Sequence, residues 1–259
     1  MNIQSSGVHV QVSIDSCAIF PRVRKALMDL SVLYRIAEAS DMTDVERLSH
    51  LYTMLSAVLE YGIDGAIVEL GCNAGHTAAF LQLINCDHSR NSSVAPRELH
   101  VYDSFEGLPR PGPNDRYFAQ GAMATTVDEL RAVFEYWAAP LPVIHAGWFR
   151  DTITDTMPSE IAFAYLDGDF YDSIRESLEA VVPRLSPGGV LIVDDYCDRT
   201  QTPRAWDCLP GVKDACDDYF GPLGLQMRPV PGVGELAFGL YRKPLRLNKA
   251  CKPSPPTNM

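Results

Sequence analysis

IAFAYLDGDFYDSIRESLEAVVPRLSPGGVLIVDDY, residues 161–196, reads as strand, helix, strand. Asp167 and Asp169 close the apolar run IAFAYL, and Asp194 and Asp195 close VLIV. The helix is expected from Tyr171 to Leu185, with SPGG as the turn into the next strand. In an open parallel sheet, ligands bind at the carboxyl ends of the strands. Two neighbouring strands that both end in aspartates bring three or four carboxylates together. Such charges repel unless a cation or shifted pKa values relieve them. An all-oxygen donor set suits a hard ion such as Mg²⁺. The plain alternative for Asp194-Asp195 is a solvated turn without an ion.

Towards the N-terminus the same grammar repeats. AIVELGCNAGHTAAFLQLI, from Ala66, reads as strand, tight turn, helix. Glu69 ends the strand, and Gly71 and Gly75 let the backbone turn sharply and approach a ligand. The helix start offers free N–H groups. Asn73 stands where a dinucleotide site wants its second glycine. The form is closer to the first motif of S-adenosylmethionine (SAM) methyltransferases, with an ordinary βα turn as the competing reading. ELHVYD ends a second strand at Asp103, with Ser104 next. A carboxylate there can take both hydroxyls of a ribose or cap the following turn. LPVIHAGWF forms a third strand ending at Gly147. Trp148 and Phe149 follow, either as a stack for adenine or as packing aromatics.

Helical periodicity runs through residues 21–60, with a second helix from Asp44 to Tyr61 capped by Asp41 or Thr43. These helices are placed to form a lid or an oligomer contact. Thr126 to Ala138 is a helix with Thr126 and Glu129 as a capping box. NCDHSRNSSVAPR, DTITDTMPSE and the loops 110–122 and 197–211 read as irregular connections. The two long ones are suited to shaping a substrate pocket. PGVKDACDDYFGPLG starts with Pro and ends with Gly, as a helix does. QMRPV and ELAFGLYR then form a closing hairpin. Residues 1–20 read as an arm, 61–243 as one α/β domain, and the Pro-rich tail 244–259 as disordered.

The formal net charge of −11 argues against nucleic acid and anionic membranes as partners. The seven cysteines form no CxxC pair, which fits reduced thiols and a cytoplasmic protein. No apolar run approaches a membrane span of ~18 residues.

Four pieces in order, VELGCNAGHTAAFLQ, VYDSFEGLP, GWFRDT and LDGDFYDS…LSPGGVLIVDDY, resemble the macrocin O-methyltransferase family. Its members are SAM-dependent enzymes that methylate sugar hydroxyls on macrolide and aminocoumarin antibiotics. The resemblance covers about residues 41–243. It implies a doubly wound, Rossmann-like seven-stranded sheet with the last strand antiparallel, a Mg²⁺ site and a homo-oligomer. By position, it implies metal ligation by Asp167, Asp194 and Asp195, and a general base at Asp169. It implies cofactor contacts at Glu69, Gly71, Asn73, Gly75, Asp103, Ser104, Gly147, Trp148 and Phe149. Cys72-Asn73-Ala74-Gly75 replaces the Trp-Arg-Gly-Gly turn usual in sugar-modifying members.

The expected reaction is therefore Mg²⁺-dependent methyl transfer from SAM to a hydroxyl of a small secondary metabolite, a sugar or other diol. His145 and His76 are the next candidates for the base. A catechol or phenol O-methyltransferase is the nearest alternative. A same-fold hydroxylase and a non-catalytic SAM-binding protein are more distant ones.

Overall fold

The computed structural model describes residues 31–245. The expected arm 1–20, the helix start at 21–30 and the tail from 246 lie outside the described residues. Helix α1 (Ser31–Ala39) and helix α2 (Val45–Glu60) come first. Asp44, rather than Asp41 or Thr43, caps α2: its Oδ1 accepts from the Arg47 amide at 2.8 Å. It sits one residue before the first helical turn, where a side-chain oxygen reaches the free N–H groups. Leu48, Leu51, Leu55 and Val58 form the buried stripe of this helix.

The sheet strands are β1 (Ala66–Leu70), β2 (Leu99–Asp103), β3 (Val143–Ala146), β4 (Ile161–Leu166), β5 (Leu185–Val193), β6 (Arg228–Val230) and β7 (Phe238–Arg242). They form one seven-stranded sheet of order β3-β2-β1-β4-β5-β7-β6. Pairing is parallel from β3 to β5, and β7 runs antiparallel to both β5 and β6. Strands β1, β4 and β5 are near-continuous apolar runs because helices cover both faces. Apolar side chains from α1, α2 and α3 (His76–Ser92) cover one face. Those from α5 (Phe149–Thr156), α6 (Tyr171–Val181) and α7 (Pro210–Phe220) cover the other. Among the described residues no helix is long and apolar enough to cross a membrane.

Three connections differ from expectation. NCDHSRNSSVAPR is helical as far as Ser92. There the buried Asn85 replaces an apolar contact by bonding the Arg97 carbonyl and amide at 2.8 and 3.0 Å. The start of DTITDTMPSE, together with Phe149 and Arg150, forms α5, whose buried side chain is Ile153. SPGG is part of β5, where the register slips: Ile161 pairs with Leu185, whereas Phe163 pairs with Val190. Helix α4 (Val127–Tyr136) is capped by Thr126 as expected, with the Glu129 amide donating to Thr126 Oγ1 at 3.2 Å.

Candidate active site

The register staggers the carboxyl ends of the parallel strands in a fixed series. Gly147 N–H bonds the Asp103 carbonyl, and Gly71 N–H bonds that of Tyr102. Asp167 N–H bonds the Leu70 carbonyl, and Asp194 N–H that of Leu166. Sheet hydrogen bonding thus fixes the backbone of Asp167 and Asp194 beside one another. Gly71 is required for the closeness of this approach. Its φ is +89°, and a Cβ there would lie 1.8 Å from the Asp167 carbonyl oxygen.

Above these ends lies a cavity of about 750 Å³, in the range of small-molecule sites. Gly71, Asn73, Asp103, Ser104, Trp148 and Phe149 line one end, and Asp167, Asp169, Asp194 and Asp195 the floor. Glu69, Gly75 and Gly147 do not line it. Glu69 is buried beneath, and one of its carboxylate oxygens lacks a hydrogen-bond partner. Burial, then the nearby Asp103, pushes its carboxyl well up. Gly75 turns the chain into α3 at a φ of +85°, packed on Leu130.

Asp103 both closes its strand and caps the next turn. One oxygen accepts from the Phe105 amide and the other from the Asn73 amide, each at 2.8 Å. Each oxygen keeps a second lone pair for a ligand. Ser104 Oγ is engaged in the same turn, donating to the Gly107 carbonyl at 2.9 Å. Asn73, at a φ of 46°, donates its side-chain Nδ2 to the Met123 carbonyl and so ties the loop before α4 to the first turn. Trp148 precedes α5, and the Arg150 guanidinium lies over its ring at 5.9 Å.

Asp167, Asp194 and Asp195 each offer an oxygen within 4.8 Å of the others'. Asp169 and Asp195 both hold left-handed backbones, with φ of 58° and 57°. Such strain in non-glycine residues gathers at functional sites. Burial, then Asp194, holds the Asp167 and Asp195 carboxyls well above the ordinary range. Asp169 is pushed up to about 7, by burial first and Asp194 second. The donors are hard oxygens crowded together in a buried place, where more than one cannot readily ionise without a counter-charge. That is the chemistry a divalent cation relieves.

Two side chains to which the sequence assigned no site role complete this floor. Tyr165 stands two residues before Asp167 on β4, and its hydroxyl donates to Asp194 Oδ2 at 2.5 Å. Its phenol is pushed well up by burial and by Asp194, so the proton stays on tyrosine. Arg47 reaches in from α2, with Nε 3.2 Å from Asp194 and Nη2 3.4 Å from Asp195. The alternation of strand side chains offered a signal for Tyr165. Neither reserve base lines the cavity. His145 pairs with His100 at 3.0 Å and stacks on Tyr102 at the sheet edge. His76 is lowered by burial and its Nδ1 lacks a partner.

The other end of the cavity is made of loops. Met42, Leu108, Pro109, Phe118 and Trp206 supply apolar walls, and Arg110 and Glu235 supply charge. Asp115 pins the 104–126 loop, accepting from the Tyr171 amide at 3.1 Å and the Gly112 amide at 3.2 Å. Glu46 accepts from the amides of Val233 and Gly234. Trp206 N–H bonds the Glu235 carbonyl at 2.9 Å.

The strand order, the βα turn at Gly71 and the cavity at the strand ends define a Rossmann-like SAM-methyltransferase fold. The sequence model of the macrocin-O-methyltransferase (TylF) family matches residues 12–214. The chain belongs to that family and is a SAM-dependent O-methyltransferase. It is 32% identical over 208 residues to the Streptomyces olivaceus 8-demethyl-8-(2,3-dimethoxy-alpha-L-rhamnosyl)-tetracenomycin-C 4'-O-methyltransferase, covering 76% of this chain and 74% of that one. To the Streptomyces niveus demethyldecarbamoylnovobiocin O-methyltransferase it is 29% identical over 193 residues, 71% and 68% of the two chains. The solved O-methyltransferase NovP shares the fold, with a TM-score of 0.66 at 24% identity, over 78% of this chain and 81% of that one.

Proposed function

We propose that this enzyme transfers the methyl group of SAM to a hydroxyl of a glycosylated or diol-bearing secondary metabolite, with a divalent cation, Mg²⁺, held by Asp167, Asp194 and Asp195. The observation that carries this reading is the carboxylate oxygen trio on the cavity floor, within 4.8 Å of one another. The relatives' names support an antibiotic glycoside as the acceptor class. The groups that bind would supply an electrophilic methyl and a positive charge beside the acceptor oxygen.

The chain's own residues do the rest. Asp169 accepts the acceptor's proton at its carboxylate. With its pKa raised to about 7, it is a base near working pH rather than a permanently ionised one. The acceptor oxygen forms a bond to the methyl carbon as the carbon–sulfur bond breaks. Tyr165 fixes the orientation of Asp194 by its hydrogen bond. Asn73, Asp103, Trp148 and Phe149 hold the nucleoside end. Gly71 lets the two halves of the site meet. The loops over the cavity exclude water and align the reacting atoms, which is worth several orders of magnitude.

A flat phenol or catechol is the second reading, favoured by Phe118 and Trp206 in the cavity wall. The homo-oligomer implied by the family resemblance belongs to this proposal and is checked by mass in solution. The test is methyl transfer to a panel of glycosides and catechols, in chelator and with Mg²⁺ restored. Turnover that disappears in chelator and returns with Mg²⁺ supports the reading. Full turnover in thorough chelator removes the cation from it.

A further inference from the structure

Arg47 is placed where the proposed cation's ligands are, and none of the site roles expected from the sequence falls on it. Its guanidinium makes three charged contacts at once. Nη1 is 2.8 Å from Asp44 Oδ2, while Nε and Nη2 face Asp194 Oδ1 and Asp195 Oδ1. The side chain is 16% exposed, so these contacts are little screened. The two ends of this grip differ in kind. Asp194 and Asp195 are buried floor carboxylates, whereas Asp44 is a half-exposed helix cap.

Lone pairs decide what the guanidinium does to the floor. Asp194 Oδ1 accepts both Arg47 Nε and the Asp195 amide, at 3.2 and 2.9 Å, which fills it. Oδ2 already accepts the Tyr165 hydroxyl. One lone pair on Asp194 remains for an ion. The guanidinium also places a positive charge a few ångströms from where a second one must sit, and such charges repel strongly in a buried site.

We propose that Arg47 competes with the divalent cation: it neutralises Asp194 and Asp195 in the metal-free protein and withdraws to Asp44 as the ion loads. The proposal rests on the reading of Asp167, Asp194 and Asp195 as metal ligands. Its consequence reaches beyond the ion. Arg47 belongs to the first turn of α2, and residues 41–44 beside it line the acceptor end of the cavity. Loading of the floor and placement of that turn are thereby linked, and linkage is reciprocal.

The test is calorimetric titration of Mn²⁺ and Mg²⁺ into the purified, chelator-treated full chain, with thermal unfolding alongside. Arg47→Met is expected to bind the ion about tenfold more tightly or better, because a like charge is gone. Its metal-free form unfolds at lower temperature, and its stabilisation by metal is larger. Asp44→Asn keeps the helix cap and removes the charge to which Arg47 withdraws. It is expected to bind the ion more weakly. In the Arg47→Met/Asp44→Asn double variant, affinity returns to that of Arg47→Met, because Asp44 acts only through Arg47.

Arg47→Met with unchanged or weaker affinity overturns the competition. So does a double variant that remains weaker than Arg47→Met by the full Asp44→Asn effect. If Arg47→Met does not fold, Asp44→Asn decides alone: equal or tighter binding contradicts the proposal. Absence of ion binding in every form, wild type included, overturns the metal reading itself and this inference with it.

Discussion

The floor of the cavity and its acceptor end are built by different means. The floor is set by backbone: the parallel register fixes Asp167 and Asp194 through hydrogen bonds to Leu70 and Leu166. The acceptor end is set by side chains that reach between segments far apart in sequence. Asp115 holds a loop to the start of α6, and Glu46 holds the turn before β7 to α2. A sheet register cannot slip by one residue without turning every side chain to the other face. A tethered loop can be lost one bond at a time. Chemistry common to many acceptors belongs on the first kind of structure, and selectivity on the second.

Substitutions on the floor should therefore abolish turnover while leaving the loops in place, and substitutions at the tethers should do the reverse. The largest effect is expected for Asp169→Asn. Turnover falls about 10²–10⁴-fold, while calorimetric affinities for SAM and Mg²⁺ hold. An unchanged rate would place the base elsewhere. Tyr165→Phe comes next, since it frees Asp194 from the hydrogen bond that orients it. Cation affinity should weaken about 10–100-fold, and full affinity would show that the strand backbone alone orients the ligand.

Asp115→Ala probes the other end. It leaves the Tyr171 and Gly112 amides without their acceptor and should cost about 1–3 kcal/mol in denaturant unfolding. KM for the acceptor should rise with cation affinity unmoved. A parallel loss of cation affinity would dissolve the distinction between the two regions.

The smallest effect is in pH. The folded pKa of Asp169, about 7, lies above the ordinary carboxylate value. Its contribution to stability is full below that ordinary value and is lost as pH rises through about 7. The metal-free protein should accordingly lose about 2–4 °C in Tm between pH 6 and 8 for each kcal/mol involved. Saturating Mg²⁺ should remove the loss. A metal-free Tm that climbs over the same range would contradict the burial of this carboxyl.

The same contrast explains what the sequence disclosed. The apolar runs ending at Asp103, Asp167 and Asp194 carry the strands and the floor, because burial on both faces and termination by a carboxylate are local signals. Tyr165 was readable in principle, two positions from Asp167. The role of Arg47 was not: its partner Asp194 lies 147 residues away in sequence. Helix α5 was hidden in DTITDTMPSE because the helix itself buries Ile153 alone. The end of α3 was hidden for a related reason: Asn85 holds it by hydrogen bonds to Arg97, where a periodic pattern expects an apolar side chain. The SPGG turn misled because a register slip let β5 begin before it.

The central claim is that three aspartates at the ends of β4 and β5 hold the cation. The most direct measurement is calorimetric titration of Mg²⁺ into the wild type and into Asp167→Asn, each confirmed as folded by its thermal transition. The account predicts a single site in the wild type and none in Asp167→Asn, with SAM binding preserved in both. Equal Mg²⁺ binding by the two proteins would contradict it.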